Sequence, residues 1–206
     1  MIEPDIIDCE QGSPEWFAAR LGLPTASRFN EVLREEGRGA GGESKTRRTY
    51  LNQLAGERIT GVPMETWKNA AMERGHVDEP EALQQYEFLT GHTVQRVGFI
   101  RGYRCGCSPD GLIGDDGMVE FKSTEPHLLI DIWRRRLPPT MHYAQCQGGL
   151  MVARRKWIDL AIYCKGLPLF IHRFDKDVSF IEHLEGQVHI FNKEVDQIVE
   201  LIRGVT

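Results

Sequence analysis

The sequence has no apolar run that approaches the roughly 20 residues needed by a membrane-spanning helix. It has no Cys-x-x-Cys pair, and its five cysteines are an odd number, so neither a disulfide framework nor a zinc or iron–sulfur site is indicated. It also lacks internal repeats and a basic-then-apolar leader. These absences favour one domain over residues 1–206, in a reducing cytoplasm and without membrane contact.

Basic residues are scarce at both ends of the chain. Residues 1–19 contain five acidic residues and no Lys or Arg, and residues 174–206 contain seven acidic and three basic residues. The net charge of −5 therefore hides a central region, residues 20–173, in which basic residues outnumber acidic ones. Such a region can bind a polyanion despite the acidic total.

Hydrophobic periodicity predicts a mixture of helices and strands. Helices are expected over residues 15–22, 26–35, 46–59, 67–91, 128–136, 143–153 and 177–203. Strands are expected over residues 93–103, 104–111, 118–123, 157–164 and 168–174. The glycine-rich stretch 35–45 reads as a mobile loop, and Pro80 as a kink or a new first turn. This order predicts an α/β fold, with a central mixed β-sheet flanked by helices.

The stretch SPDGLIGDDGMVEFKS, residues 108–123, carries the strongest chemical signal. Side chains alternate across a strand, so Glu120 and Lys122 share a face, and a turn at Asp116-Gly117 returns Asp110 to the side of Glu120. Two carboxylates beside one ammonium suit a hard divalent cation, with the lysine orienting a water or stabilising a phosphate. The alternative is an exposed Glu120–Lys122 pair on an edge strand.

Four motifs, taken together and in this order, resemble the phage lambda exonuclease family. These are the YqaJ-like alkaline exonucleases of the PD-(D/E)xK nuclease superfamily. The motifs are EWFAARLGLPTASRFNEVL, ERGHVDEPEALQQYEFLTG, CSPDGLIGDDGMVEFK and YAQCQGGLMV, which lie within about residues 10–155. The resemblance implies a restriction-endonuclease-like core, whereas residues 156–206 carry no motif of this family.

The resemblance assigns the metal centre to the third motif. Asp110, Glu120 and the backbone carbonyl of Phe121 would bind metal, and Lys122 would contact the nucleophilic water. The implied metal is Mg²⁺, for which Mn²⁺ could substitute, with two ions in each site.

Two further catalytic residues are implied by the neighbouring motifs. Glu79 would help to bind the metals or water, and Gln145 would touch water or the scissile phosphate. Without the resemblance, Glu79 reads as a solvated helix acid and Gln145 as a buried helix amide.

An anion site is indicated near Arg20 and Ser27, where one predicted helix ends and the next begins. In the resembling family such a site, together with Ser108, holds the 5′-terminal phosphate of DNA. A member of that family has a further basic residue just after the Glu-x-Lys motif. In this chain His127, or one of Arg134, Arg135 and Arg136, takes that role, or the phosphate pocket is weaker. Arg20 could instead be a surface residue whose stem covers apolar area.

The resemblance implies a Mg²⁺-dependent exonuclease that digests one strand of double-stranded DNA from its 5′ end. It would release mononucleotides and leave 3′ single-stranded tails for recombination by strand annealing. A homotrimeric ring around DNA, a single-strand annealing protein as partner, and a phage or prophage origin in a bacterial host are implied as well.

Two other functions remain open from the sequence. One is a restriction-type PD-(D/E)xK endonuclease, and the other is a catalytically inactive DNA-binding module. The basic cluster of residues 154–156 could contact the DNA backbone or form a solvated turn.

Overall fold

The computed structural model describes residues 3–33, 44–64 and 70–205, with the side chains of residues 70–76 left out. Most of the glycine-rich loop predicted over residues 35–45 lies outside these residues, as do residues 67–69 of the fourth predicted helix. Within the described ranges, no helix combines the length and apolar character needed to cross a membrane.

The described residues contain helices and strands in the order that the sequence predicts, with an additional strand at the start and with two short strands, at residues 106–107 and 111–113, in place of the strand predicted over residues 104–111. The helices are α1 (Pro14–Arg20), α2 (Phe29–Val32), α3 (Lys45–Thr60), α4 (Ala70–Thr90), α5 (Pro126–Arg135), α6 (Tyr143–Ala153) and α7 (Val178–Arg203). The strands are β1 (Asp5–Ile7), β2 (Phe99–Arg101), β3 (Gly106–Cys107), β4 (Gly111–Ile113), β5 (Gly117–Ser123), β6 (Trp157–Tyr163) and β7 (Phe170–Asp175).

The main sheet is mixed, as predicted. Its strand order is β4-β5-β6-β7, in which β5 and β6 are parallel and the other two pairings are antiparallel. Strand β5 is therefore an interior strand, bonded on both edges, and the sequence 118–123 does not form an edge strand. Both faces of the strand are buried, which explains why it carries Met118 on one face and Val119 and Phe121 on the other.

Helices cover the two faces of this sheet. On one face, Val119 and Phe121 pack against Tyr86 of α4, whose ring lies edge-on to that of Phe121 at 5.8 Å between centroids. On the other face, Met118 packs with Leu150 of α6 in the larger core cluster. Helix α4 runs through Pro80 without ending there. The two helices thus fix which side chains of β5 meet.

A second, smaller sheet was not predicted. It has the order β1-β2-β3, and both pairings are antiparallel. The predicted strand 93–103 is divided between the two sheets, since Gln95 forms an isolated bridge with Leu112 while β2 pairs with β1. The prediction of one continuous strand over residues 93–103 is therefore wrong, because Gln95 pairs with β4 while β2 pairs with β1 and β3.

Candidate active site

The β4–β5 hairpin places Asp110 beside Glu120. The register pairs Gly111 with Val119, so Asp110, one residue before β4, reaches the level of Glu120. The turn occupies residues 114–116, and Gly117 already belongs to β5. Asp110 Oδ2 accepts a hydrogen bond of 2.5 Å from the Phe121 N–H. The carboxylate therefore replaces the backbone carbonyl that would accept this bond if the pairing of β4 with β5 continued. The sequence predicted a hairpin here with its turn at Asp116-Gly117, whereas the turn of the structure ends one residue earlier, at Asp116.

Glu120 lies at the centre of a buried polar cluster. Its side chain is only 7% exposed, and its Oε1 accepts from Lys122 Nζ at 2.7 Å. Gln145 of α6 donates to the same oxygen from Nε2 at 2.5 Å. The interpretation of Glu120 and Lys122 as an exposed pair is therefore wrong, and Gln145 is directed at the cluster.

The electrostatics of the cluster follow from two carboxylates that share one ammonium. Burial, followed by the charge of Glu120, raises the pKa of Asp110 well above its usual value. Burial lowers the pKa of Lys122, but the carboxylates of Glu120 and Asp110 outweigh burial, and the net pKa is raised. Lys122 is therefore a stable cation, but one ammonium compensates the two carboxylates incompletely, as the raised pKa of Asp110 indicates, and a divalent cation would supply the missing positive charge.

Glu79 lies on α4, across a cleft from Asp110. Its Oε1 forms an ion pair of 2.9 Å with Arg96 Nη2, and its side chain is 22% exposed. The cleft has a volume of about 290 Å³ and is lined by both Glu79 and Asp110. The structure therefore places Glu79 in the same cleft as Asp110, where Arg96 engages it.

The donor atoms near Asp110 are of the type that a hard divalent ion prefers. Asp110, Glu120 and Glu79 supply carboxylate oxygens, which Mg²⁺ and Mn²⁺ prefer. The N–H and C=O of one strand residue point to the same edge, so the Phe121 carbonyl also faces the Asp110 side. Within the described residues, no three His, Cys, Asp or Glu side chains are grouped closely enough to hold an ion. Each carboxylate is instead engaged by a donor of the chain.

A second, small cavity adjoins the cluster. Its volume is about 50 Å³, and Glu120 and Gln145 form part of its wall. The predicted anion-binding residues Arg20, Ser27 and Ser108 line the same cavity. The structure therefore brings these three residues together, directly beside the predicted catalytic cluster.

Arg20 has the surroundings of an anion-binding guanidinium. Its contacts are the ring of Trp16, with the guanidinium carbon 4.1 Å from the ring centroid, and Thr25 Oγ1 at 3.3 Å. Within the described chain it has no ion-pair partner, and burial lowers its pKa. A partly desolvated cation without a carboxylate at ion-pair distance favours an incoming anion, although the charge of Glu57 acts on Arg20 from further away. Ser27 lies in a 3₁₀ turn, residues 26–28, instead of the predicted helix.

The structure does not bring every predicted residue to this cavity. The His127 side chain is 72% exposed at the start of α5, where Nδ1 lies 3.6 Å from Glu125. Arg135 forms an ion pair with Asp131 along the same helix. The role of His127 stays a prediction, and the structure selects no substitute for it.

The basic cluster after α6 makes contacts within the chain. Arg154 pairs with Glu3 at 2.9 Å, and Lys156 pairs with Asp116 at 2.8 Å. Arg155 donates to the carbonyl of Gly114. These contacts favour the solvated-turn interpretation of residues 154–156.

Several residues around the site were not predicted. Trp16 donates from Nε1 to Ser108 Oγ, Gln11 donates to the carbonyl of Pro109 at 3.0 Å, and Arg96 holds Glu79. His142 lies just before α6, near Lys122. Of these residues, only Trp16 could have been found from the sequence. It precedes Arg20 by four residues, about one helical turn, so the two side chains were expected to lie on the same face of the helix.

An aspartate before one strand and a Glu-x-Lys on the next, in a mixed sheet between helices, define the PD-(D/E)xK class of protein. Residues 15–156 match the family model of the YqaJ-like viral recombinase domain. The chain therefore belongs to the family of YqaJ-like viral recombinase domains. Among curated protein sequences, none matches the chain.

Solved structures support this assignment. The chain is 33% identical to an alkaline exonuclease, LHK-Exo, from Laribacter hongkongensis, with a TM-score of 0.82 over 93% of this chain and 96% of that one. A structure of LHK-Exo in complex with dAMP gives the same values. A phage-related exonuclease from Haemophilus somnus 129PT has a TM-score of 0.66 at 12% identity, over 90% of this chain and 99% of that one. That likeness concerns the fold alone.

Proposed function

We propose that this protein is a Mg²⁺-dependent exonuclease that digests one strand of double-stranded DNA from its 5′ end. The observation that carries this proposal is that the predicted anion site and the carboxylate–lysine cluster line the same cavity. The cavity lined by Arg20, Ser27 and Ser108 opens onto Glu120 and Gln145 of the carboxylate–lysine cluster. An anion site beside a hydrolytic centre fits a substrate whose terminal phosphate is held while a neighbouring phosphodiester is cut.

The metal would be held by Asp110, Glu120, Glu79 and the Phe121 carbonyl. A bound divalent ion supplies an activated water and neutralises charge on the phosphate and the leaving oxygen. Mn²⁺ could replace Mg²⁺, because both accept carboxylate oxygens, and two ions in the site are proposed from the family resemblance.

The other residues would position the reactants. Lys122, held as a cation by Glu120, would orient the attacking water or stabilise negative charge on the phosphate. Gln145 would touch the water or the scissile phosphate from α6. Arg20 offers a forked guanidinium and Ser108 a hydroxyl to the terminal phosphate.

Release of mononucleotides is part of the proposal. The structure of the related LHK-Exo in complex with dAMP supports a site that accepts a deoxynucleoside monophosphate. The remaining strand would form a 3′ single-stranded tail for recombination by strand annealing. We also propose, on the family resemblance, a single nuclease domain over residues 1–206, a homotrimeric ring, an annealing protein as partner, and a cytoplasmic role for a phage or prophage.

The deciding experiment uses linear duplex DNA labelled at its 5′ ends, which carry either phosphate or hydroxyl, beside closed circular DNA. We expect label to leave as mononucleotide in Mg²⁺, faster from phosphorylated ends, with circles intact and no reaction in EDTA. The Lys122→Ala variant should lose activity by roughly 100-fold or more, whereas Lys165→Ala, at an exposed turn, should keep it.

Other outcomes select the other functions. Cutting of closed circles would assign the site to an endonuclease of the restriction type. Binding of DNA in Mg²⁺ without hydrolysis under any divalent metal would favour an inactive DNA-binding module. Sedimentation that shows only monomer at micromolar concentration would contradict the ring.

A further inference from the structure

Arg96 is a cation directly beside the predicted metal ligands, and nothing in the family motifs assigns it a role. We propose that Arg96 competes with the metal for Glu79: it neutralises Glu79 in the metal-free protein and has to leave before that carboxylate can bind a divalent ion. The inference rests on the proposed metal centre. It assigns to Arg96 an influence on the affinity of the site for its divalent ion.

The surroundings of Arg96 place it among metal ligands. The cleft of about 290 Å³ is lined by four acidic residues and one basic residue, namely Asp8, Glu10, Glu79, Asp110 and Arg96. Mutual repulsion of the carboxylates would raise the energy of an empty cleft, and a guanidinium among them lowers it. A divalent cation would supply the same neutralisation with twice the charge, so both cations are suited to the same carboxylate.

The backbone fixes the base of Arg96 while its side chain stays free to move. Gln95 and Leu112 exchange two backbone hydrogen bonds, of 2.9 and 2.8 Å, which hold this segment against β4. The Arg96 side chain is 57% exposed, against 22% for Glu79. The guanidinium can therefore swing into solvent without disturbing the sheet, whereas Glu79 stays in the cleft.

Arg96 differs from the other donors that engage the carboxylates. Asp110 is held by the backbone N–H of Phe121, and Glu120 is held by Lys122 and Gln145. The backbone N–H of Phe121 is part of β5 and cannot move away from Asp110, whereas Lys122 and Gln145 belong to the predicted catalytic residues. An arginine does not deprotonate in proteins, so Arg96 cannot make room by losing its charge. It has to exchange its position with the metal.

The test measures metal binding without DNA and without turnover. Mn²⁺ is titrated calorimetrically into the metal-free protein, the Arg96→Gln variant and the Arg104→Gln control, in which a half-exposed arginine paired with Asp196 of α7 is changed. We expect Arg96→Gln to bind Mn²⁺ about two- to fivefold more tightly, and Arg104→Gln to match the wild type. Arg96→Lys, which keeps the charge without the fork, should lie between them.

The Glu79→Gln change shows whether the gain passes through Glu79. In the Glu79→Gln background, Arg96→Gln should no longer raise the affinity, because the carboxylate for which the two cations compete is gone. Equal or weaker Mn²⁺ binding by Arg96→Gln, at an unchanged melting temperature, would overturn the inference alone. A wild-type protein that binds no divalent ion would overturn the proposed metal centre and, with it, this inference.

Discussion

Trp16 donates a hydrogen bond of 2.8 Å from its indole Nε1 to the hydroxyl oxygen of Ser108, 92 residues away in the sequence. Because indole is only a donor, Ser108 is the acceptor in this contact, and its own O–H is left to donate elsewhere. The same ring supports the guanidinium of Arg20. Trp16 thus arranges two donors around the cavity that we assign to the terminal phosphate.

The Trp16→Phe variant keeps an aromatic face for Arg20 and removes the donor to Ser108. We expect the ratio of the rates on 5′-phosphate and 5′-hydroxyl ends to fall about three- to tenfold, the value of one hydrogen bond. Trp133→Phe is the matched control, because Trp133 donates to the Pro168 carbonyl outside the cavity. Equal slowing on both kinds of end would contradict this role for Trp16.

Lys122 stabilises the buried carboxylate of Glu120. The Lys122→Met change leaves Glu120, 6% exposed, with Gln145 but without a neighbouring cation. We expect the free energy of unfolding in EDTA to fall by roughly 2–4 kcal/mol, as for other buried pairs that lose one partner. Adding Glu120→Gln should restore part of this loss, since it removes the uncompensated charge. Denaturant unfolding of the single and double variants measures both changes, and a double variant less stable than Lys122→Met would contradict the explanation.

His142 gives the protein a dependence of stability on pH. Burial, followed by the charge of Lys122, lowers the pKa of His142 to about 4 from its usual 6.5. Between these values the unfolded chain binds a proton that the folded protein does not, so stability falls as the pH drops from about 6.5 to 4. His142 imposes no such loss above pH 6.5.

The His142→Gln variant should lose this part of the pH dependence. Between pH 6.5 and 4, its free energy of unfolding should fall less than that of the wild type, by up to about 3 kcal/mol. Subtracting the two curves removes the contributions of the carboxyl groups that both proteins share. His183→Gln, on α7, is the control, and a parallel pair of curves for wild type and His142→Gln would exclude this role.

The local part of the site could be predicted from the sequence. The alternation of Glu120 and Lys122 with Val119 and Phe121 fixes their faces, and the turn signal just before β5 predicts the return of Asp110. The mixed sheet also follows from the order of helices and strands. For the site residues the information lies within about a dozen consecutive residues, whereas the sheet follows from the order of elements along the whole chain.

The contacts that connect distant segments could not be predicted. The pairing of β1 with β2 joins residues about 95 positions apart, and a three-residue strand has too short a pattern to indicate a partner. The ion pair of Arg96 with Glu79 depends on where the chain passes from one sheet to the other, at the bridge of Gln95 with Leu112. The hydrophobic periodicity of a short segment does not indicate where the chain passes from one sheet to the other.

Of the predicted helix over residues 26–35, residues 34 and 35 lie outside the described ranges, and the prediction is only partly correct for residues 26–33. The structure has a 3₁₀ turn followed by α2, which ends at Val32. The reason lies on α6, where Gly148 lets the Phe29 ring approach the helix backbone. A Cβ at position 148 would lie 2.3 Å from Phe29 Cδ2. The packing of this turn on α6 therefore decides its conformation and holds Ser27 near Gln145.

The Gly148→Ala variant tests whether this close approach builds the site. Alanine normally favours a helix over glycine by about 1 kcal/mol, but here the methyl group would overlap the Phe29 ring. We expect a net loss of about 1–3 kcal/mol in the free energy of unfolding, typical of overpacking. We also expect a weaker preference for 5′-phosphate ends, because displacement of Phe29 moves Ser27. Gly186→Ala on α7, where no atom lies within 4 Å of the added methyl group, should instead be neutral or stabilising. Equal stability gains in both variants would show that α6 and the turn at residues 26–28 are not packed as closely as the structure has them.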